Sequence, residues 1–491
     1  MTQEAFGIRR LRFFITMKLS RVTCQFIDSV DGRPIPLVVA TATDNTTVVS
    51  DNAGYIAISV SLSQGTPYYL HLHSPGYDVP VDGFGYRGIH LKVGGAVERI
   101  RLRRTNIAQR SGRVTGTGKY IHAQSLGLMR DLTETPLTGM DSVQSAAISG
   151  KRYVFYGDTN WTGYPLGNFK TTNGIAKITS HLQNCPYVIE YSIDTAGKAI
   201  PSMPNSDRTQ GVTWISGIVS IGNTIVGYAN HRKSLQQQLS HGFVRWDPAK
   251  KAFVDFKELP ETSWRHLDGH PITFRDKQTD FVMFGHAIPN FRVPSDVSAI
   301  KSGTSYETYT CLLANGDVET DASDQPIWSW RRDGSPIDAE RESAYIKSGK
   351  LKRQHCRHLL YEHATQRTVI PHRGSVRWND HLQRWILAFT ALNEATSVLG
   401  ELFIAAGASP IGPWTHCIRV ATHPKYSFYN PVHHTWLDQK GGRLITVEGT
   451  YTMTFSGNNV PTPMYEYNQL TYQIDLADER LAFLGFQLRQ Y

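Results

Sequence analysis

The stretch from residue 141 to 158, DSVQSAAISGKRYVFYGD, begins and ends on a carboxylate and reads as two short apolar strands around a Ser-Gly-Lys turn. Four further hairpins of similar length follow: WISGIVSIGNTIVGYANH from Trp214, HPITFRDKQTDFVMFGH from His270, GSVRWNDHLQRWILAFTA from Gly374 and HHTWLDQKGGRLITVEGT from His433. Their ends carry polar groups too. Asp141 and Asp158 bound the first; Trp214, Asn230 and His231 the second; His270 and His286 the third; His372 and Arg373, with Asn393 beyond, the fourth; and His433, His434 and Glu448 the fifth. Carboxylates and imidazoles gathered in register are the groups of general acid–base chemistry, where one side chain donates a proton and another accepts one. Either Asp can also serve only as a turn or strand cap bonded to its own backbone.

The elements that would position these groups repeat. The hairpins start 73, 56, 104 and 59 residues apart, and the spaces between them hold further strand material such as GFVRWDPAKKAFVDF, YETYTCLLANGD, GELFIAAGASPIGPW and NQLTYQIDLADERL. A hairpin plus one or two outer strands, repeated radially, is one blade of a β-propeller, and five blades fit. A (β/α)8 barrel would need helical periodicity between the strands, and almost none is present. In a propeller the hairpin ends line a funnel at one mouth of the axial tunnel, where every blade can contribute a ligand-binding group. Residues 20 to about 105 alternate apolar and polar positions over short runs, including VTCQFID, IPLVVATA, GYIAISV, YYLHLHS and VERIRLR, which predicts a separate small antiparallel sandwich. The expected fold is therefore all-β, an N-terminal β-sandwich followed by a five-bladed β-propeller. The boundaries are 1–19 for an N-terminal extension, 20–108 for the sandwich and 109–491 for the propeller, with a basic insertion at 318–370 in the long gap before the fourth hairpin.

Composition narrows the setting. The chain has 491 residues, too many for one ordinary core, and 40% hydrophobic with 19% charged residues is globular. No apolar run is long enough to span a membrane, and RR followed by LRFFITM is too short and interrupted by Arg12 for a clear signal peptide. Five cysteines lie far apart without a CxxC pair, which argues against a disulfide scaffold or zinc ribbon. The net charge of +9 suits an anionic partner, and residues 331–358 concentrate it, with eight basic against four acidic side chains. No nucleic-acid-binding motif accompanies that segment. His355, Cys356, His358 and His363 crowd together but lack metal-motif spacing, so no protein-held metal is expected; a structural Ca²⁺ on a propeller axis would leave little sequence trace.

Specific stretches carry family resemblances. DGRPIPLVVATA, VVSDNAGYIAISV and YYLHLHSPGY resemble the carboxypeptidase-regulatory-like sandwich found beside many secreted carbohydrate-active enzymes, generally a spacer or docking surface. DSVQSAAISGKRYVFYGD and GELFIAAGASPIGPW resemble the five-bladed propeller glycosidases, the group of arabinanases, xylosidases, invertase-like enzymes and neoagarobiose hydrolases, over about residues 111 to 491. FYGDTNWTGYPLGNF, SYETYTCL, HRGSVRWN, FYNPVHH and EGTYTMTFSGN are similar to an uncharacterised bacterial branch that joins the two modules. The resemblance implies a secreted or periplasmic glycoside hydrolase acting on a carbohydrate, with Asp141 as base or nucleophile. The family's later carboxylates do not carry over: His270, with Asp268 just before it, stands where the third blade usually opens on an Asp, and His372 with Arg373 where the fourth usually supplies a Glu. A His can be the acid in some neoagarobiose hydrolases, so the acid is expected to be His372 or Glu307, with Asp158 or Asp268 as electrostatic tuner. Trp214, Arg373 and Asn430 would hold the sugar, with His231, His270, His286, Tyr429, His433, His434 and Glu448 also lining the funnel.

Two other chemistries share these residue types. A polysaccharide lyase takes the C5 proton of a uronic acid with a Tyr or His base while Arg, His or Asn neutralises the carboxylate, and HRGSVRWN with YNPVHH contains that set, suited to an anionic polysaccharide. A non-catalytic carbohydrate-binding propeller would use aromatics such as Trp161, Tyr164, Trp264 and Trp436 without any acid.

Overall fold

The computed structural model describes residues 19–130, 132, 134–168, 171–180, 182, 184–203, 211–260, 264–392 and 396–486. Asn393 and the side chain of Tyr164 lie outside the described residues. The architecture is nearly all β: short helices at Val297–Ser302 and Ala339–Lys347 are minor additions to eight sheets among the described residues. The second of these helices lies in the basic segment, capped by Asp338, which accepts from the Arg341 backbone N–H.

Two four-stranded sheets come first. One orders Tyr55–Val60, Ser20–Asp28, Glu98–Arg104 and Tyr77–Asp78; the other orders Thr47–Val49, Val39–Ala42, Pro67–His73 and Gly88–Lys92. The period-two alternation of these strands turns Val22, Phe26, Ile56, Ile58, Leu70, Leu72, Ile89 and Leu91 into one shared core between the two sheets.

Five sheets of four to six strands follow, each entered through its innermost hairpin: Gln144–Ile148 with Lys151–Tyr156, Val212–Ile221 with Thr224–Arg232, Ile272–Asp276 with Thr279–Phe284, Pro371–Asn379 with Arg384–Ala391, and Ser427–His433 with Leu444–Thr452. The first turn needs positive φ at both central residues, 48° at Ser149 and 73° at Gly150, the twist that suits a two-residue hairpin. Each sheet packs on the next. Ala146 and Phe155 meet Ile215 and Val244; Val226 and Phe243 meet Val282 and Phe284; Ala287 and Ile288 meet Val376 and Leu387; Ile386 and Leu402 meet Ile445 and Val447; Val432 and Leu437 meet Val143 and Val154, returning to the first sheet. The fifth sheet is completed by Gln109–Arg113, which pairs antiparallel with Asn468–Asp475 through Leu470↔Arg113 and Gln473↔Gln109.

The fifth hairpin differs from its sequence reading. Its innermost strand is Ser427–His433, so His433 is the last residue of that strand and His434 follows it; residues 434–443 are the connection to the second strand. The sequence reading begins this hairpin at His433, because Pro431 and the register shift between Tyr429 and Val432 conceal the true strand in the sequence.

The closing strand also anchors the N-terminal sheets. Arg110, 1% exposed, donates to the carbonyls of Pro36, Pro75 and Leu37 and to Ser74 Oγ, and lies over the Tyr77 ring. Asn52 exchanges two hydrogen bonds with the Arg113 backbone, and Tyr465 Oη accepts from Leu37 N while donating to Ser50 O. Replacing Arg110 with Met leaves the buried carbonyls of Pro36 and Pro75 unanswered and Leu37 O and Ser74 Oγ with only each other, so we expect a loss on the order of 3 kcal/mol, read by thermal or denaturant unfolding, together with new protease sensitivity between residues 104 and 110. An unchanged midpoint and digestion pattern would show that Arg110 does not hold the junction.

Candidate active site

The innermost strands begin at one mouth of the ring, and the polar groups there fall into two sets. The first is built around Asp141, three residues ahead of its strand. Its backbone N–H donates to Asp158 O, and Gly157 N–H donates back to Asp141 O, so the two ends of the first hairpin are tied together. Tyr429, from the innermost strand of the fifth sheet, and Tyr467, just before Asn468–Asp475, both donate their hydroxyls to Asp141 Oδ2 at 2.8 and 2.9 Å. Asp158 Oδ1 accepts from the Trp214 indole at 2.8 Å. Gly157 makes room for this: a Cβ there would stand 1.9 Å from Asp141 Oδ1.

Electrostatics separates the members. Burial pushes Asp141 above the usual carboxylate range, and the two phenol donors pull it partly back. Burial and the neighbouring Asp141 charge push Asp158 up to about 7, against the pull of the Trp214 indole. Two acids this close titrate as a pair, and the last proton to leave belongs on Asp158, because Asp141 Oδ2 is already filled by two donors that require an acceptor. Tyr429 is itself pushed well above its ordinary value by burial and by Asp141, which fixes it as a hydrogen-bond donor.

The second set joins the third and fourth sheets. Asp268 receives Arg373 Nη1 at 3.2 Å and faces His286 Nε2 at 2.9 Å. Burial alone would raise Asp268, but Arg373 and His286 outweigh it and hold its carboxyl well below the usual range, so it stays ionised. His372 is driven down to about 4 by burial and by Arg373, with its Nδ1 buried and unpartnered, and is therefore a neutral imidazole near pH 7. His270 is driven further, to about 3, by burial and Arg377.

The other expected residues go elsewhere. Glu307 lies on the fourth strand of its sheet, its carboxylate taken by Arg292 at 2.6 Å with Arg332 beyond at 3.6 Å, and it is not among the groups contacting Asp141 or Asp158. Asn430, at φ 50°, spends its amide on Ser142 Oγ, stitching the fifth sheet to the first. His231 is buried and pairs with Thr213, on the face of its strand opposite Asn230. His433 and His434 lie below the mouth, fully enclosed, on Asp438 and Glu448 respectively. Glu448 does not line the funnel either: it is walled in between the fifth and first sheets, where Tyr187 donates to it at 2.7 Å. The mutual approach of buried apolar faces, invisible in a linear strand pattern, decides these placements. Among the described residues no three His, Cys, Asp or Glu side chains converge as a metal site; His358 is engaged by Glu342 and His363 stacks on Phe483. Tyr467 was missed because it follows no hairpin, although its place before an apolar strand, two residues after another Tyr, was visible.

No family model matches the sequence, and no curated protein matches it. Several solved structures are similar to it at low identity. An exo-1,5-α-L-arabinanase from a bovine ruminal metagenomic library is 9% identical over 70% of this chain and 94% of its own, with a TM-score of 0.34. An endo-arabinase from Bacteroides thetaiotaomicron is 10% identical over 71% of this chain and 99% of its own, at 0.33, and a GH43_1 enzyme from Xanthomonas citri is 9% identical over 68% and 87%, at 0.32. At these scores the chemistry must be argued from this chain's own side chains.

The raised value of Asp158 has a stability consequence. Its folded value lies above the ordinary 3.8, so the folded protein keeps a proton that the unfolded chain gives up, and the associated stability is present at pH 4 and lost as pH rises through about 7. Asp158→Asn cannot ionise. Its unfolding free energy relative to the unsubstituted protein should therefore improve between pH 4 and 8, by on the order of 1–3 kcal/mol. A difference that stays flat across that window would disprove the buried pair.

Proposed function

We propose that the protein is a glycoside hydrolase whose N-terminal sheets (20–108) form a spacer sandwich and whose five later sheets (109–491, with the segment 318–370 inserted) are the blades of a propeller. The observation that carries the reading is the pair of neighbouring carboxyl groups at the mouth, one accepting from two phenols and the other able to hold a proton near neutrality. Glycosidic cleavage requires that division: an acid for the leaving oxygen and a carboxylate that activates water or attacks the anomeric carbon. In this reading Asp158 is the acid and Asp141 the base or nucleophile. Asp268, kept ionised by Arg373 and His286, supplies a fixed negative charge that favours an oxocarbenium-like transition state. Trp214 offers an aromatic face beside Asp158 for a sugar ring.

The same charge states argue against His372 and Glu307 as the acid, since one is neutral near pH 7 and the other is spent on Arg292. They also weigh against elimination: Tyr429, the nearest phenol, donates to Asp141 and is pushed away from ionisation, the reverse of what a Tyr base needs.

Incubation with neutral and anionic polysaccharides, following reducing ends and unsaturated-uronate absorbance together, should give reducing ends alone. Asp141→Asn and Asp158→Asn should each lower kcat by roughly 10²–10⁴-fold while the protein stays folded. The alkaline limb of the pH–rate profile, centred near the Asp158 value of about 7, should vanish in Asp158→Asn. Chromophore accompanying the reducing ends would make the protein a lyase, and tight sugar binding without turnover would make it a binding propeller.

A further inference from the structure

The outer face of the first N-terminal sheet is set against the segment that leads into the later sheets, and a groove lies between them. Three strands align across that face: Tyr55 stands opposite Gln25 and Gln25 opposite Arg99, with Ile27 and Arg101 forming the next row. Their neighbours Cys24, Phe26 and Ile56 fill the core between the two N-terminal sheets, so period-two geometry turns these five side chains to the other face. The short helix Ile121–Ser125 is tied down beside them. Asp51 Oδ2 accepts from the Ala123 N–H at 2.8 Å, and His122 Nδ1 from the Ala57 N–H at 3.3 Å. Between this segment and the sheet lies a hollow of about 410 Å³, lined by Tyr55, Gln25 and Arg99 from the sheet and by Leu128 and Met129 after the helix. A second hollow of about 160 Å³ lies past Ile27 toward Gly32 and Pro34. Gln25 and Arg99 line both, so the two form one groove with Arg99 at its middle.

The charge along this groove is unbalanced. Arg99 and Arg101 are exposed, and among the described residues neither pairs with a carboxylate. The nearby acids are spent: Asp78 on Arg103, Asp28 on Arg104, and Asp31 on Arg33 and Gln109. Glu98 falls on the opposite face of its strand, where its charge acts on Cys24. We infer that this groove docks an anionic polysaccharide away from the mouth, with the charged groups of successive sugars on Arg99 and Arg101. A volume of about 410 Å³ falls within the range of ligand sites, roughly 300–1,000 Å³. Tyr55, Leu128 and Met129 offer apolar surface to the C–H face of a sugar ring, and a guanidinium fork suits a carboxylate or a sulfate. Arg99 and Arg101 are two strand residues apart, about 7 Å, a spacing that favours a chain with repeated charge over a single small anion. A nucleic acid fits less well, because base stacking needs open ring faces and the one aromatic lining the groove, Tyr55, is half-buried. The inference does not depend on the mouth being catalytic.

The test titrates the full chain by calorimetry with polygalacturonate, which carries carboxylates, dextran sulfate, which carries sulfates, and dextran, which carries neither. At least one anionic polymer should bind and dextran should not, and the arm that binds identifies the charged group. Affinity should fall as salt rises from about 50 to 200 mM. Arg99→Gln combined with Arg101→Gln, both at exposed positions and so without effect on the unfolding midpoint, should weaken binding roughly tenfold. Lys347→Gln combined with Lys352→Gln, which removes the same charge from exposed positions of the basic segment, should leave it unchanged. Equal losses in the two double variants, equal binding of dextran or of single-stranded DNA, or no binding of either anionic polymer would overturn the inference. Asp141→Asn should bind as the unsubstituted protein does. Affinity lost there and kept in the arginine variant would put the polymer at the mouth, which overturns the groove and leaves the catalytic reading intact.

Discussion

Everything at the mouth depends on one pairing, Gln109–Arg113 against Asn468–Asp475, which joins the chain just after the N-terminal sheets to its last long strand. Each innermost strand supplies only one or two functional groups, and Asp141 is completed by phenols from residues 429 and 467, nearly 300 positions or more away in sequence. Such long-range contacts carry a large loop-closure cost, and only a ring that closes can hold all of them at once. The hydrogen bonds that cross from the last sheet to the first, Asn430 to Ser142 and Ser142 N–H to Thr450 Oγ1, stand directly beside the carboxyl pair and transmit that closure to it.

Given the ring, the mouth assigns different charges to identical side chains. Asp141, Asp158 and Asp268 are all enclosed aspartates, so burial pushes all three the same way. What differs is the partner: two phenols for the first, an indole and a like charge for the second, a guanidinium and an imidazole for the third. The outcome is three aspartates of different proton affinity, one poised near neutrality and one kept ionised, and that difference follows from those partners and not from residue type.

Deeper along the same strands the polar groups are paired off: His433 with Asp438 and His434 with Glu448, while Arg377 Nη1 donates to the carbonyls of His270 and Val376. Successive residues of a strand face opposite sides, so neighbours in sequence enter different surroundings.

The linear sequence determined the strands, the hairpins and the identity of the groups at the first, third and fourth hairpin ends, because period-two burial and turn residues such as Ser149 and Gly150 act over a few positions. It also exposed the separate N-terminal pair of sheets through the same alternation. It misplaced His433, His434 and Glu448, since Pro431 and a register shift hid the strand at Ser427–His433, and it left Tyr467 and Arg377 unremarked because neither ends a hairpin. Which aspartate keeps its proton and which glutamate is walled in were decided only by tertiary structure. Those properties depend on burial and on partners brought from distant sheets, and no local pattern encodes either.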